Sequence, residues 1–171
     1  MNNPSLYASA PNYYLYYFDL VESNDLIAEL KKNRAEVVTF LEAIPDNRWD
    51  FAYGQDKWTA AQVIRHIIET ERIFAYRALR FSRFDSTPLA GFNENHYIEN
   101  LKAIPFTRSG LINEFETVRD STISLFESMT SEMLAYKGEA NGLPVNAEML
   151  GFMIVGHTIH HMSVIESRYL D

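Results

Sequence analysis

Apolar residues return at three- and four-residue steps in four stretches of the chain, and each stretch predicts an amphipathic helix. The first runs from about Ser23 to Ile44, where Leu26, Leu30, Val37 and Leu41 interleave with Lys31, Lys32, Arg34 and Glu36. Pro45 ends it, because proline cannot continue a helix. The second opens at Thr59, followed three residues later by Gln62, the pattern of a capping box. Ala60, Val63, Ile64, Ile67, Phe74, Ala78 and Phe81 then form its apolar stripe. The third spans about Arg108 to Met129 and turns Leu111, Phe115, Val118, Leu125 and Phe126 inward. The fourth, about Asn146 to Leu170, carries Leu150, Met153, Ile154, His157, His161, Val164 and Ile165 on one face.

What lies between these stretches completes the expectation. Residues Phe84 to Phe106 contain Pro88, Gly91 and Pro105, so they read as a long connection with at most a short helix near Glu94–Leu101. A connection of that length in a small domain is often functional or crosses a bundle end. Gly138, Asn141, Gly142 and Pro144 make the next break, and no alternating strand pattern competes. The expected fold is all-α, a four-helix bundle forming a single domain over residues 1–171. Residues 1–22 are an N-terminal aromatic extension, with Tyr13, Tyr14, Tyr16 and Tyr17 expected to pack over a groove or a dimer partner.

Composition narrows the chemistry. A net charge of -8 across 171 residues argues against nucleic-acid binding, which needs clustered Lys and Arg. No run reaches the roughly 18–20 apolar residues of a membrane span. The start of the chain lacks the basic and aliphatic segments of a signal peptide. With no cysteine there is no disulfide, thiolate ligand or cysteine nucleophile, and the cytoplasm is the expected compartment. Any metal site must then use His, Asp, Glu or water.

Three of the five histidines fall in Gly156-His157-Thr158-Ile159-His160-His161. His157 and His161 are four residues apart and so share a helix face, here the apolar one. Two buried imidazoles without partners cost about 1–3 kcal/mol apiece, and a divalent cation would satisfy both. His160 could pair with His157 instead at a three-residue step, although Ile154, Val164 and Ile165 extend the stripe on the side of His161. His66, among Val63, Ile64 and Ile67, is the further histidine on an inner helical face, whereas His96 lies in the long connection.

The segment Lys57-Trp58-Thr59-Ala60-Ala61-Gln62 through His66 to Arg72 resembles the second-helix motif of the DinB/YfiT superfamily. The run Arg77-Ala78-Leu79-Arg80 through Pro88-Leu89-Ala90-Gly91-Phe92 and the run from Gly156 to His161, followed by Glu166-Ser167-Arg168-Tyr169-Leu170, extend that resemblance over nearly the whole chain from about residue 25. It implies a four-helix bundle with a long connection between its second and third helices, often a homodimer. It also implies metal ligation by His66, His157 and His161. Members of the family are described as metal-dependent hydrolases, or as S-transferases using low-molecular-weight thiols such as bacillithiol, mycothiol or glutathione.

A three-histidine divalent site, holding nickel, zinc or iron, would make hydroxide from water or thiolate from a thiol cosubstrate, acting on a small molecule. Glu69, one turn after His66, is the candidate general base. It could equally hold a ligand's ring N–H, as could Glu71, or pair on the surface with Arg65 or Arg72. Arg72, Arg77, Arg80 and Arg83 read either as an anion site or as solvated, carboxylate-paired residues. The competing expectation is a non-catalytic binding or stress-response module whose metal site is structural or vacant. A carboxylate-bridged di-iron bundle is disfavoured, since His66-x-x-Glu69 reverses the order such a site needs.

Overall fold

In the computed structural model of the chain, residues 4–101 and 104–170 are described. Two short helices, α1 (Pro4–Ser9) and α2 (Asn12–Asp19), precede α3 (Leu26–Ala43), which Asp25 caps by accepting a hydrogen bond from the Ala28 amide. A single turn, α4 (Asp46–Trp49), leads to α5 (Ala60–Ser82), the longest helix among the described residues. The capping box at its start is formed: the Gln62 amide donates to Thr59 Oγ1 at 3.2 Å and the Thr59 amide to Gln62 Oε1 at 2.9 Å. The long connection carries α6 (Glu94–Asn100), after which come α7 (Arg108–Glu127) and α8 (Ser131–Ala135). The chain closes with β1 (Lys137–Ala140), β2 (Leu143–Asn146), α9 (Ala147–Ile165) and a π-helical turn at Glu166–Leu170.

The four long helices α3, α5, α7 and α9 form the expected bundle, with α5 packed on both α7 and α9, and α3 packed on both as well. Its interior consists of two apolar clusters. Going along the chain, α3 and α9 pass from the cluster containing Leu30 and Val155 to the one containing Val37 and Ile165. Helices α5 and α7 run the opposite way, from Ile68 to Phe74 and from Val118 to Ile123. Consecutive helices α5 and α7 are therefore parallel, which is why the connection between them must travel the length of the bundle.

Between the two clusters each helix contributes buried polar side chains: Asn33 from α3; His66, Thr70 and Glu71 from α5; Arg119 and Thr122 from α7; His157 and Thr158 from α9. This polar belt holds the chemistry of the molecule.

Two features go beyond the four-helix expectation, and the first departs from it. The break before α9 is a β-hairpin, with Lys137 opposite Asn146 and Ala140 opposite Leu143. Asn141 and Gly142 have φ of 54° and 73°, the left-handed pair that a two-residue hairpin turn requires. Leu89 of the long connection joins this hairpin, donating its amide to Glu139 O and accepting from the Asn141 amide, both at 2.9 Å. The other feature is the aromatic segment, expected to pack over a groove or a dimer partner and part of an extension whose residues 1–3 lie outside the described ones. Helix α2 docks directly on α9, where a Cβ at Gly156 would stand 2.2 Å from the Tyr17 carbonyl oxygen. Glycine is required there because the two backbones touch. No helix among the described residues is long and apolar enough to cross a membrane.

Candidate metal centre and its cavity

Helices α5 and α9 bring His66, His157 and His161 together, with one ring nitrogen of each lying within 4.8 Å of the others. His157 Nε2 stands 3.1 Å from His66 Nε2 and 3.1 Å from His161 Nε2. A neutral imidazole nitrogen has either one hydrogen or one lone pair, so His157 Nε2 can serve only one of these two neighbours. The cluster cannot satisfy itself. A cation resolves the conflict, because all three lone pairs can point at it. Nitrogens 3.1 Å apart also match the spacing of ligands lying about 2.0–2.1 Å from a common ion.

Electrostatics agree with that donor set. Burial pushes His66 down to about 4 and His161 down to about 3, and it holds His157 well below the ordinary imidazole range. The rings are thus neutral at physiological pH, the form that ligates metals. The Thr70 hydroxyl lies 3.4 Å from His66 Nδ1 and can accept its proton, which turns the Nε2 lone pair toward the cluster. His161 Nδ1 is buried and has no hydrogen-bond partner.

His160 is directed elsewhere: its Nδ1 is 3.0 Å from the Tyr16 hydroxyl, and its ring packs edge-on against Tyr17. The four-residue pair, His157 with His161, is the one that meets His66. His96 sits on exposed α6 beside Asn100, apart from the cluster.

The three histidines form part of the wall of a cavity of about 430 Å³, within the usual range for small-ligand sites. Helix α2 contributes Tyr13, Tyr14 and Tyr17 to it. The long connection adds Phe92 and Glu94, and the hairpin adds Ala140, Asn141 and Leu143. Thr70, Phe74 and Arg77 continue the α5 face below His66, at steps of four, eight and eleven residues. These tyrosine, hairpin and Glu94 contributions were not assigned to the site from sequence. The Asn141-Gly142 turn was the one available signal for the hairpin.

The carboxylates singled out in the sequence lie elsewhere. Glu69 is not among the cavity-lining residues, and burial raises its carboxyl above the ordinary range. Its expected partners Arg65 and Arg72 both pair with Glu114. Glu71 forms a two-pronged buried ion pair with Arg119, its oxygens accepting at 2.9 and 3.0 Å. Of the four arginines, Arg80 pairs with Asp85 and Arg72 with Glu114, while Arg83 donates to Ser82. Arg77 alone of the four reaches the cavity.

Comparison with known proteins agrees with this architecture. YfiT from Bacillus subtilis, described as a probable metal-dependent hydrolase with an unusual four-helix bundle topology, superposes with a TM-score of 0.74. It does so at 17% identity over 83% of this chain and 82% of its own. A DinB-like protein of the same organism, YjoA, superposes with a TM-score of 0.60 at 16% identity, over 85% of this chain and 90% of its own. No curated protein matches the sequence. The sequence pattern of the DinB superfamily matches residues 29–165, which span all four bundle helices apart from the first turn of α3. The chain belongs to the DinB superfamily.

Proposed function

We propose that this protein is a metal-dependent enzyme acting on a small molecule, with His66, His157 and His161 as the ligands of one divalent ion. The observation that carries this reading is the convergence of three neutral, mutually unsatisfied imidazoles on the wall of a ligand-sized cavity. A purely structural site would be closed by a fourth protein ligand, whereas three ligands beside a cavity leave room for water or substrate.

When bound, the ion supplies Lewis acidity, lowering the pKa of water for hydrolysis or of a low-molecular-weight thiol for S-transfer. The chain's own groups do the rest. Thr70 keeps the His66 lone pair facing inward. Glu94 lines the same cavity, and its charge acts on His66, so we assign it as the proton acceptor in preference to Glu69. Trp58, with its ring 5.1 Å from that of His66, and the tyrosines of α2 exclude bulk water from the histidines.

The test is a screen of the zinc-, nickel- and iron-loaded protein against activated esters and amides, and against thiols paired with electrophiles. Turnover that needs the metal and disappears in His157→Ala/His161→Ala supports the reading. Metal uptake without turnover on either substrate set would contradict it.

A further inference from the structure

Arg77 occupies an unusual position for a guanidinium. It is only 5% exposed, yet it lines the cavity, and no carboxylate among the described residues pairs with it. Its one hydrogen bond among the described residues is from Nη2 to Ala90 O at 2.8 Å. The Phe74 and Phe92 ring centroids each lie 5.8 Å from the guanidinium carbon, and the Tyr14 phenol interacts with its charge. Burying a charge without a partner is costly, and proteins normally pair it. The contrast within this molecule is direct. The other buried arginine, Arg119, uses all five N–H groups on Glu71, Asn33, Leu30 O and Thr158. Arg77 lines the cavity and, among the described residues, commits only Nη2 to a protein acceptor.

We propose that Arg77 binds the carboxylate group of this enzyme's substrate. The proposal rests on reading the cavity as the substrate site and adds the substrate's chemical class. His66 and Arg77 lie on one face of α5, eleven residues or about 16 Å apart along the helix axis. The Arg77 side chain leans back toward the helix N-terminus and shortens that gap. A ligand spanning it carries its anion at one end and its reacting group at the other, beside the histidines. Phe74, Tyr14, Tyr17 and Met153 also line this cavity, which suits a ligand with an apolar or aromatic middle. The anion is a carboxylate, not a phosphate. One planar guanidinium matches one planar carboxylate, no second cationic side chain among the described residues lines the cavity, and Glu94 there repels a dianion.

The experiment is calorimetric titration with acetate, phenylacetate, phenylacetamide and phenyl phosphate, on the protein as purified and after chelation. Wild type, Arg77→Met, Arg77→Lys and His157→Ala/His161→Ala are compared, with circular dichroism confirming the fold. Phenylacetate should bind the wild type with or without metal, and phenylacetamide should not. Arg77→Met should weaken phenylacetate roughly 10- to 100-fold, and Arg77→Lys should recover part of the loss. If Arg77→Met does not fold, Arg77→Lys and the charged-against-neutral comparison on wild type still decide. Equal binding of phenylacetate and phenylacetamide, unchanged affinity in a folded Arg77→Met, or no carboxylate binding to wild type overturns the proposal. Tighter binding of phenyl phosphate than of phenylacetate replaces the carboxylate with a phosphate. Phenylacetate binding that survives in the histidine variant, which takes up no metal, keeps failure of this proposal distinct from failure of the metal reading.

Discussion

The polar belt across the bundle contains two clusters, one joining α3, α5, α7 and α9 around Arg119 and one joining α5 and α9 through histidines, and they differ in how fully they are satisfied. In the Arg119–Glu71 cluster the charges are satisfied: every guanidinium N–H has an acceptor, Glu71 receives two of them, and the Asn33 Nδ2 amide is left without a partner among the described residues. The histidine cluster is left open. His157 Nε2 faces two nitrogens and can satisfy one, and His161 Nδ1 has no partner. A charge-satisfied buried network fixes how helices pack, because its paired members would be left unpaired by any other arrangement. An open one costs stability in the free protein, and the chain retains it where something else completes it. Satisfaction of charge and lone pair separates the two clusters better than burial does, since Glu71, Arg119, His66 and His157 are all buried.

That contrast can be tested by cutting each cluster. The largest effect should come from Glu71→Leu, which strands the Arg119 charge in the core and should cost about 3–5 kcal/mol in urea unfolding. Adding Arg119→Met to it should recover much of the loss. Next comes the response to acid. The buried histidines have pKa values below that of the unfolded chain, with His66 at about 4 and His161 at about 3 against an ordinary 6.5. Between those values the unfolded state binds more protons, so stability falls as pH falls. Metal-free protein should hold full stability above about pH 6.5 and lose it progressively toward about pH 3 in pH-stepped thermal melts. Thr158→Val, which removes a 3.4 Å contact to Arg119, should cost about 0.5–1.5 kcal/mol. The smallest effect should be His161→Phe in metal-free protein. It removes no satisfied hydrogen bond outside the cluster and should change stability by less than about 1 kcal/mol, in either direction. A loss as large as that of Glu71→Leu would mean the histidine cluster is structural after all.

Much of the fold was legible because the bundle helices α3, α5 and α7 each bury one face. Their stripes and caps locate them within a few residues, and Thr59 with Gln62 marks the start of α5 on sequence alone. Helix α9 is harder, since Leu150 through His157 are all buried and periodicity cannot pick a face in such a run. That is why spacing left His160 open beside His161, and the choice depends on Tyr16 from the distant α2 holding His160 aside. The hairpin escaped notice because its strands have four residues each, too short for alternation to register, although Asn141-Gly142 announced the turn. Within the site, the histidines were readable as residue types that need a partner. Glu94 and the α2 tyrosines were not, since only the crossover connection and the docking of Tyr17 on Gly156 bring them there. Arg77 shows the same limit: its spacing matches that of its paired neighbours, and only its burial in three dimensions sets it apart.

The central claim is that the open cluster is completed by a metal. Its most direct test is elemental analysis of tag-free protein beside the His157→Ala/His161→Ala variant, each before and after incubation with divalent ions. The account predicts about one nickel, zinc or iron ion per wild-type chain, and none in a variant whose helical circular dichroism is intact. Wild-type protein that takes up no divalent ion after incubation, or a variant that binds as much as wild type, would contradict it.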